Sequence, residues 1–262
     1  AANAIRKAGS AATAQGVWTA SAGNMAQGVA WCARQFGVAC TVVVPDHAPE
    51  TKLAAIRRLG AEFIKIPFAD WFDIILTGRF DGMKGLFVHP VSDPAVIAGN
   101  GTIGLEILED LPDADIVLIP YGGGGLSCGI AAAVRALKPD IKIYACETDT
   151  AAPLSAALVV GSPTRIVYTP SFIDGIGGPT VLPEMWEMAR ALLDGARVTT
   201  PSRAAEAVRL LVERNRVVAE GAGAAPLAVA LDGAVAGKIV CIVSGGNIDI
   251  GKLARILLKE TP

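Results

Sequence analysis

The chain has 262 residues, 23 basic against 25 acidic side chains and a formal charge of −2. That charge gives no electrostatic reason to expect nucleic acid or an anionic membrane surface as partner. With 52% hydrophobic and 18% charged residues but only 5% aromatic, the chain is neither disordered nor an aromatic-rich β-sandwich, and close packing of helices on a sheet is favoured.

The length suits one large domain or two small ones. The segment Ala1 to Ala11 lacks the apolar core of a signal peptide. Short apolar runs then alternate with helix-period segments. Val17 to Ala20 reads as a strand and the stretch through Met25 to Phe36 as a helix. Cys40 to Val44 is a β-branched strand stopped by Pro45. A helix from about Pro49 to Leu59 follows, ended by Gly60. Phe63 to Ile66 and Leu86 to Val88 read as strands, 101–110 as a helix, Ile116 to Ile119 as a strand and 126–137 as a helix. Ile141 to Cys146 is the next strand, and the Ser-, Pro-, Thr- and Gly-rich stretch from Ala151 to Pro183 is less regular. Pro201 to Asn215 reads as a helix with Thr200 as N-cap; Lys238 to Val243 is the last strand, and a final helix follows. This alternation predicts an α/β protein with right-handed crossovers and mostly parallel sheets.

No apolar run reaches the ~18–20 residues a membrane span needs. The five cysteines are scattered and form no C-x-x-C pair, so reduced thiols in the cytosol are expected rather than a disulfide framework or thiolate metal site. Only His47 and His89 are present, which excludes a multi-histidine metal site by count. Both read as structural residues of turns.

Ligands of open parallel sheets bind outside the carboxyl ends of strands. Three turns follow strands directly: Ser21-Ala22-Gly23-Asn24-Met25, Tyr121-Gly122-Gly123-Gly124-Gly125-Leu126 and Ser244-Gly245-Gly246-Asn247. They are expected at the same end of a sheet. The four glycines are the strongest feature, because successive amides without Cβ atoms can converge on one anion at a helix N-terminus. The third glycine of a dinucleotide fingerprint is absent, as is the Lys-Ser/Thr of a P-loop, so a compact phosphate monoester suits the turn best. Asn24 and Ser244 could each also be a helix cap. Glu220, in a Gly/Ala-rich turn, reads either as a solvated or capping acid or as a functional one, and Asp174 reads as a turn former.

Taken together, these residues carry a family resemblance. Thr19-Ala20-Ser21-Ala22-Gly23-Asn24-Met25-Ala26-Gln27-Gly28 is similar to the S-x-G-N-x-x-Q segment of fold-type II pyridoxal-phosphate enzymes. The run His89-Pro90-x-x-Asp93-Pro94-x-x-x-Ala98-Gly99-x-Gly101-Thr102-x-Gly104-x-Glu106-Ile107 resembles the threonine/serine dehydratase branch. Gly122 to Leu126, Asp174-Gly175, Glu220 to Ala224 and Ser244 to Asn247 fall in that family's order, and the likeness extends over essentially the whole chain.

The resemblance implies two parallel-sheet domains of the tryptophan synthase β-like type: a small domain 16–94 and a large domain of 1–15 with 95–262. It implies pyridoxal 5'-phosphate as cofactor, its phosphate on Gly122, Gly123, Gly124, Gly125 and Leu126. Asn24 would bond the phenolic oxygen, Gly175 would pass close to the ring, and Ser244 would face the ring nitrogen. Ser21, Ala22, Gly23, Asn24 and Met25 would take the substrate carboxylate. The implied reaction is β-elimination of L-threonine or L-serine to a 2-oxo acid and ammonia, by a cytoplasmic homodimer acting on a small amino acid, with no nucleic acid, membrane or metal.

Two positions depart from the family pattern. Glu147 matches the family's metal-binding glutamate, but Pro153 stands where an acid is expected six residues later, so no divalent site of that type is expected. The Schiff-base lysine belongs to an S-F-K-x-R-G-A-x-N motif, of which Ala1-Ala2-Asn3 matches the end. The lysine is therefore expected upstream of Ala1, together with the N-terminal part of the large domain, and no regulatory domain is expected after Pro262. A serine/threonine racemase, a 3-phenylserine-type dehydratase and a β-replacing synthase share the scaffold. Ala22 stands where the racemase branch has its second, proton-transferring serine. A lysine-less cofactor-binding protein and, from the glycine turn alone, an NAD-binding oxidoreductase are the readings from other classes.

Overall fold

A computed structural model describes residues 1–233 and 235–262. In chain order its elements are α1 (Ala2–Thr13), β1 (Val17–Ala20), α2 (Asn24–Phe36), β2 (Cys40–Pro45), α3 (Glu50–Arg58), β3 (Glu62–Ile66), α4 (Phe68–Thr77), β4 (Leu86–Phe87), α5 (Pro94–Asp110) and β5 (Ile116–Pro120). There follow α6 (Gly125–Leu137), β6 (Lys142–Thr148), α7 (Pro153–Val160), α8 (Pro183–Leu192), β7 (Gly195–Thr199), α9 (Pro201–Leu210), a π-helical turn (Leu211–Asn215), α10 (Gly221–Leu231), β8 (Ile239–Cys241) and α11 (Ile250–Leu257). The chain divides into two compact units, Ala1–Gly99 and Asn100–Pro262.

The first unit holds a four-stranded parallel sheet in the order β3-β2-β1-β4. Val17, Val42 and Val44 pack against Ala26, Val29, Ala30 and Ala33 of α2 and Leu53 and Ile56 of α3, all buried. Small residues on α2 let the helix lie close to the β-branched strands. Helix α1 adds Ala4 and Ile5 to the same core, and Asn3 Nδ2 donates to the carbonyl of Ala95 at 2.7 Å.

The second unit holds a parallel sheet in the order β7-β6-β5-β8. One face is covered by α9, α10 and α11 through Ala204, Ala207, Val208, Ala222, Ala225, Val229 and Ile256. The expected parallel pairing is therefore present in both units. The three ligand-type turns, however, do not share one sheet: Ser21–Met25 follows β1 of the first sheet, whereas Gly122–Leu126 and Ser244–Asn247 follow β5 and β8 of the second.

Element boundaries differ in instructive places. The predicted 101–110 helix starts at Pro94, where Asp93 Oδ1 accepts the amides of Ala95 and Val96 at 2.7 and 3.2 Å. The less regular stretch contains α7, and the Gly/Ala-rich turn after Glu220 is the first turn of α10. Thr200 caps α9 as expected, accepting the amide of Arg203 at 3.2 Å. Among the described residues no helix is long and apolar enough to cross a membrane.

Candidate functional site

In the first unit the loop Ser21–Met25 joins β1 to α2. The amide of Ser21 donates to the carbonyl of Val43 at 3.1 Å, continuing the β1–β2 ladder one step past the strand. The Ser21 hydroxyl oxygen accepts the amide of Gly23 at 3.3 Å, which turns the chain into α2 with Gly23 as N-cap. Asn24 is thus the first helical residue, exposed, and not the cap. No acidic residue occupies the first turn of this 13-residue helix, so its amide end keeps its positive polarity for an anion.

In the second unit Gly122–Leu126 joins β5 to α6. Gly124 has φ +100° and is the N-cap of α6, also 13 residues long with no acid in its first turn. A β-carbon there would lie 3.1 Å from Tyr121 Oη, so both the conformation and the space require glycine. The carbonyl of Gly124 accepts the amide of Cys128 at 2.8 Å and the Ser127 hydroxyl at 3.2 Å, and Asn100 Nδ2 donates to the carbonyl of Gly125 at 3.1 Å. These bonds hold the carbonyls of Gly124 and Gly125 from within the protein at a helix end of the polarity that suits an anion.

Three further sequence-predicted residues sit around this turn. A β-carbon on Gly122 would lie 3.5 Å from the carbonyl oxygen of Gly175. A β-carbon on Gly175 would lie 2.8 Å from Ala222 Cβ and 3.0 Å from Glu220 Oε1. Glu220 is buried and its amide donates to the carbonyl of Gly245 at 2.9 Å; Gly223 approaches the same carbonyl so closely that a β-carbon would stand 2.7 Å away. Ser244 is exposed, and the next helix is capped by Asp249, so Ser244 is not its cap. Gly122, Gly175, Glu220 and Ser244 are therefore assembled within one unit, and Glu220 is no solvated turn acid.

Buried polar groups without partners mark where something is expected to bind. Among the described residues they are Thr19 Oγ1, Gln27 Nε2, Tyr121 Oη and Thr199 Oγ1. Thr19 and Gln27 flank the Ser21–Met25 loop two residues to either side, Tyr121 opens the glycine turn, and Thr199 closes β7. All four stand at the carboxyl ends of parallel strands or in the helix turn that follows. Burial, with Cys128 and Glu147 nearby, pushes the Tyr121 phenol far up, so it stays a neutral donor.

Glu147 is fully buried, and its fate explains the departure at Pro153. Its Oε1 accepts the amide of Leu154 at 2.7 Å, and Oε2 accepts the amide and the hydroxyl of Ser155 at 2.8 and 2.7 Å. Pro153 is the first residue of α7, where its missing N–H costs nothing. The carboxylate closes the helix N-terminus, and among the described residues there is no group of three or more His, Cys, Asp or Glu side chains that could hold a metal ion. Burial pushes the Glu147 carboxyl up, partly offset by these hydrogen bonds.

His89 is structural, as expected: Nδ1 accepts the amides of Val91 and Ser92 at 3.0 and 2.8 Å, so Nε2 carries the proton donated to the carbonyl of Ile75 at 2.8 Å. The five cysteines are free thiols, and burial pushes Cys40 and Cys128 to about 12 and Cys241 to about 11. The sequence reading missed Asn100, Tyr121 and the capping role of Glu147. An asparagine within a glycine-rich helix and an acid followed by a proline-initiated helix were the available signals.

Comparison with known proteins gives concordant results. A family model described as pyridoxal-phosphate dependent enzyme matches residues 1–245. The chain is similar to an L-threonine ammonia-lyase of Thermotoga maritima, 41% identical over 250 residues that cover 94% of this chain and 62% of that protein. It thus spans about three-fifths of that relative's length. Among solved structures it resembles the processed form of threonine deaminase isoform 2 from Solanum lycopersicum (TM-score 0.87, 30% identity, 98% of this chain and 77% of that one). It also resembles maize serine racemase (TM-score 0.84, 30% identity, 98% and 81%).

Proposed function

Because the chain belongs to the family of pyridoxal-phosphate dependent enzymes with the fold-type II architecture, we propose that it carries the cofactor and substrate sites of an L-threonine/L-serine ammonia-lyase. The residues present fit such a cofactor. The glycine turn is a cradle that a side chain at 124 would fill, and it opens an acid-free helix end. On this reading the amides of Gly122, Gly123, Gly124, Gly125 and Leu126 hold the phosphate. Gly175 passes its backbone close to the ring, Ser244 meets the ring nitrogen and Asn24 the phenolic oxygen. A hydroxyl at 244 accepts or donates without forcing a proton onto that nitrogen. When bound, pyridoxal phosphate supplies the electron sink for a carbanion at the amino acid's α-carbon.

In the other unit, Ser21, Ala22, Gly23, Asn24 and Met25 take the substrate carboxylate at the amide end of α2. The Gln27 amide, buried without a partner, is the donor that such an anion would satisfy. Loss of the α-proton and β-hydroxyl as water, followed by hydrolysis, converts threonine to 2-oxobutanoate and ammonia. Ala22, whose methyl group moves no proton, argues against the racemase reading that the maize neighbour would otherwise suggest. The domain division 16–94 against 1–15 with 95–262 belongs to the same proposal, as do a cytoplasmic site of action, in keeping with five free thiols, and a homodimer.

The observation that carries the proposal is the glycine turn at the head of α6. Its test is addition of pyridoxal phosphate, followed by L-threonine, to the protein that includes the S-F-K-x-R-G segment with the lysine expected upstream of Ala1. A visible absorption band and 2-oxobutanoate formation are expected; no band at saturating cofactor overturns the cofactor site, and a band without keto acid overturns the reaction.

A further inference from the structure

In the second unit, α6 and the part of α5 from Asn100 onward touch backbone to backbone. A β-carbon on Gly101 would lie 3.1 Å from the carbonyl oxygen of Gly129, and one on Gly104 would lie 2.8 Å from that of Ile130. This contact brings Asn100, one residue before Gly101, to the head of α6, one turn before Gly129. Its Nδ2 donates to the carbonyl of Gly125 at 3.1 Å. The preceding carbonyl, that of Gly124, is held by groups of α6 itself: the amide of Cys128 at 2.8 Å and the hydroxyl of Ser127 at 3.2 Å. Asn100, by contrast, reaches the head of α6 from another helix.

The carbonyl of Gly125 and the amide of Leu126 belong to one planar trans peptide unit, in which C=O and N–H point in opposite directions. At the head of a helix this amide has no partner within the helix. Fixing the carbonyl therefore fixes the line along which the Leu126 N–H leaves the helix end. The accepted bond also polarises the peptide unit and strengthens its N–H as a donor. We propose that Asn100 is a positioning residue of the phosphate cradle, aiming the amide of Leu126 at a phosphate dianion. This rests on the reading that the Gly122–Leu126 turn takes the cofactor phosphate. The packing of α5 on α6 is secured without this bond, because the contacts at Gly101 and Gly104 are made with backbone, and Asn100 is only half-buried. An amide donor at this position serves the ligand end of α6 rather than the core.

The test uses the protein that includes the lysine-bearing segment expected upstream of Ala1. It compares dissociation constants for pyridoxal 5'-phosphate and for pyridoxal, which lacks the phosphate. Asn100→Ala should weaken pyridoxal phosphate by about fivefold or more and pyridoxal by less than about twofold, because one charge-assisted hydrogen bond is at stake. Asn100→Leu fills nearly the same volume without a donor and should behave as Asn100→Ala does. Asn100→Gln keeps an amide donor and should recover most of the loss. Melting temperatures without cofactor report any loss of fold separately. Phosphorus NMR of the loaded proteins should show the bound phosphate taking up its second proton at higher pH in Asn100→Leu than in the wild type, since a poorly aimed amide favours the dianion less. Equal losses for the two compounds, an unchanged pyridoxal phosphate constant in Asn100→Leu, or an Asn100→Gln no better than Asn100→Leu overturn the proposal and leave the cofactor reading intact. A wild type that binds pyridoxal as tightly as its phosphate ester overturns the phosphate reading of the glycine turn, and the proposal with it.

Discussion

The carboxylate of Glu220 lies 3.0 Å from the point where a β-carbon on Gly175 would stand. The acid and the loop glycine are therefore fitted to each other, and the carbonyl of Gly175 in turn faces Gly122 of the phosphate turn. A single methyl group at 175 would be transmitted through this contact to the glycine turn. Gly175→Ala is expected to weaken pyridoxal phosphate binding tenfold or more, because Ala222 Cβ, 2.8 Å from the new atom, cannot swing aside as a carboxylate can. Gly178→Ala, with only a carbonyl oxygen 3.9 Å away, is the control and should bind normally. Absorbance titration of both variants distinguishes them; equal affinities would show that the loop is free to move.

Gly124 makes a second fitted pair, with Tyr121. Gly124→Ala should cost about 1–3 kcal/mol from its positive φ, plus the contact with Tyr121 Oη. In the double variant Gly124→Ala/Tyr121→Phe the contact with Oη is gone but those with Cε2 and Cζ at 3.3 Å persist, so only part of the steric cost is recovered. Tyr121→Phe alone deletes a hydroxyl that has no partner, so its melting temperature should equal or exceed that of the wild type. A marked destabilisation by Tyr121→Phe would reveal a buried water on that oxygen.

For Glu147 the direction of the pKa shift sets the pH dependence. Burial raises the folded-state value above the ordinary 4.5, so between the two values the folded protein holds a proton that the unfolded chain has released. The resulting stabilisation is complete below the unfolded value and fades as the pH rises through the folded one. Glu147→Gln keeps one acceptor for Leu154 but turns a donor toward the amide of Ser155, at a cost of about 1–3 kcal/mol. Urea denaturation should find the gap between wild type and variant wider near pH 5 than at pH 8. A gap that widens with pH would mean that the amide end of α7 outweighs burial.

None of the nine lysines is buried. Lys138 is tied to the carbonyl of Pro112, Lys142 to Asp194 at 3.0 Å and Lys238 to Asp113. An amine that carries the cofactor must reach a shielded site. Borohydride reduction in the presence of pyridoxal phosphate, followed by peptide mapping, should leave Lys7, Lys52, Lys65, Lys84, Lys138, Lys142, Lys238, Lys252 and Lys259 without a stoichiometric label. One labelled position accompanied by threonine deamination would identify the working lysine and reverse this assignment.

The strands were legible because β-branched runs such as Cys40–Val44 and Ile116–Ile119 announce buried parallel strands. The glycine turn was legible because its chemistry lies in the absence of side chains. Helices α7 and α10 were not. Leu154, Ala157, Val159 and Val160 show no helical stripe, and Gly221 to Pro226 has poor intrinsic propensity yet is buried throughout, so packing imposes the helix. The bond from Asn100 to the carbonyl of Gly125 was equally invisible, since 25 positions separate them along the chain and only the packing of α5 on α6 brings them together.

The meeting of Gly223 with the carbonyl of Gly245 also governs how this protein can change over generations. A side chain at 223 would displace the backbone of the turn that presents Ser244, so neither segment can drift alone. Any descendant that acquires bulk on α10 must already have relocated that turn, and with it whatever meets the ring nitrogen. The two segments are thus inherited as one unit, and new reactivity at 244 would arrive with substitutions in α10.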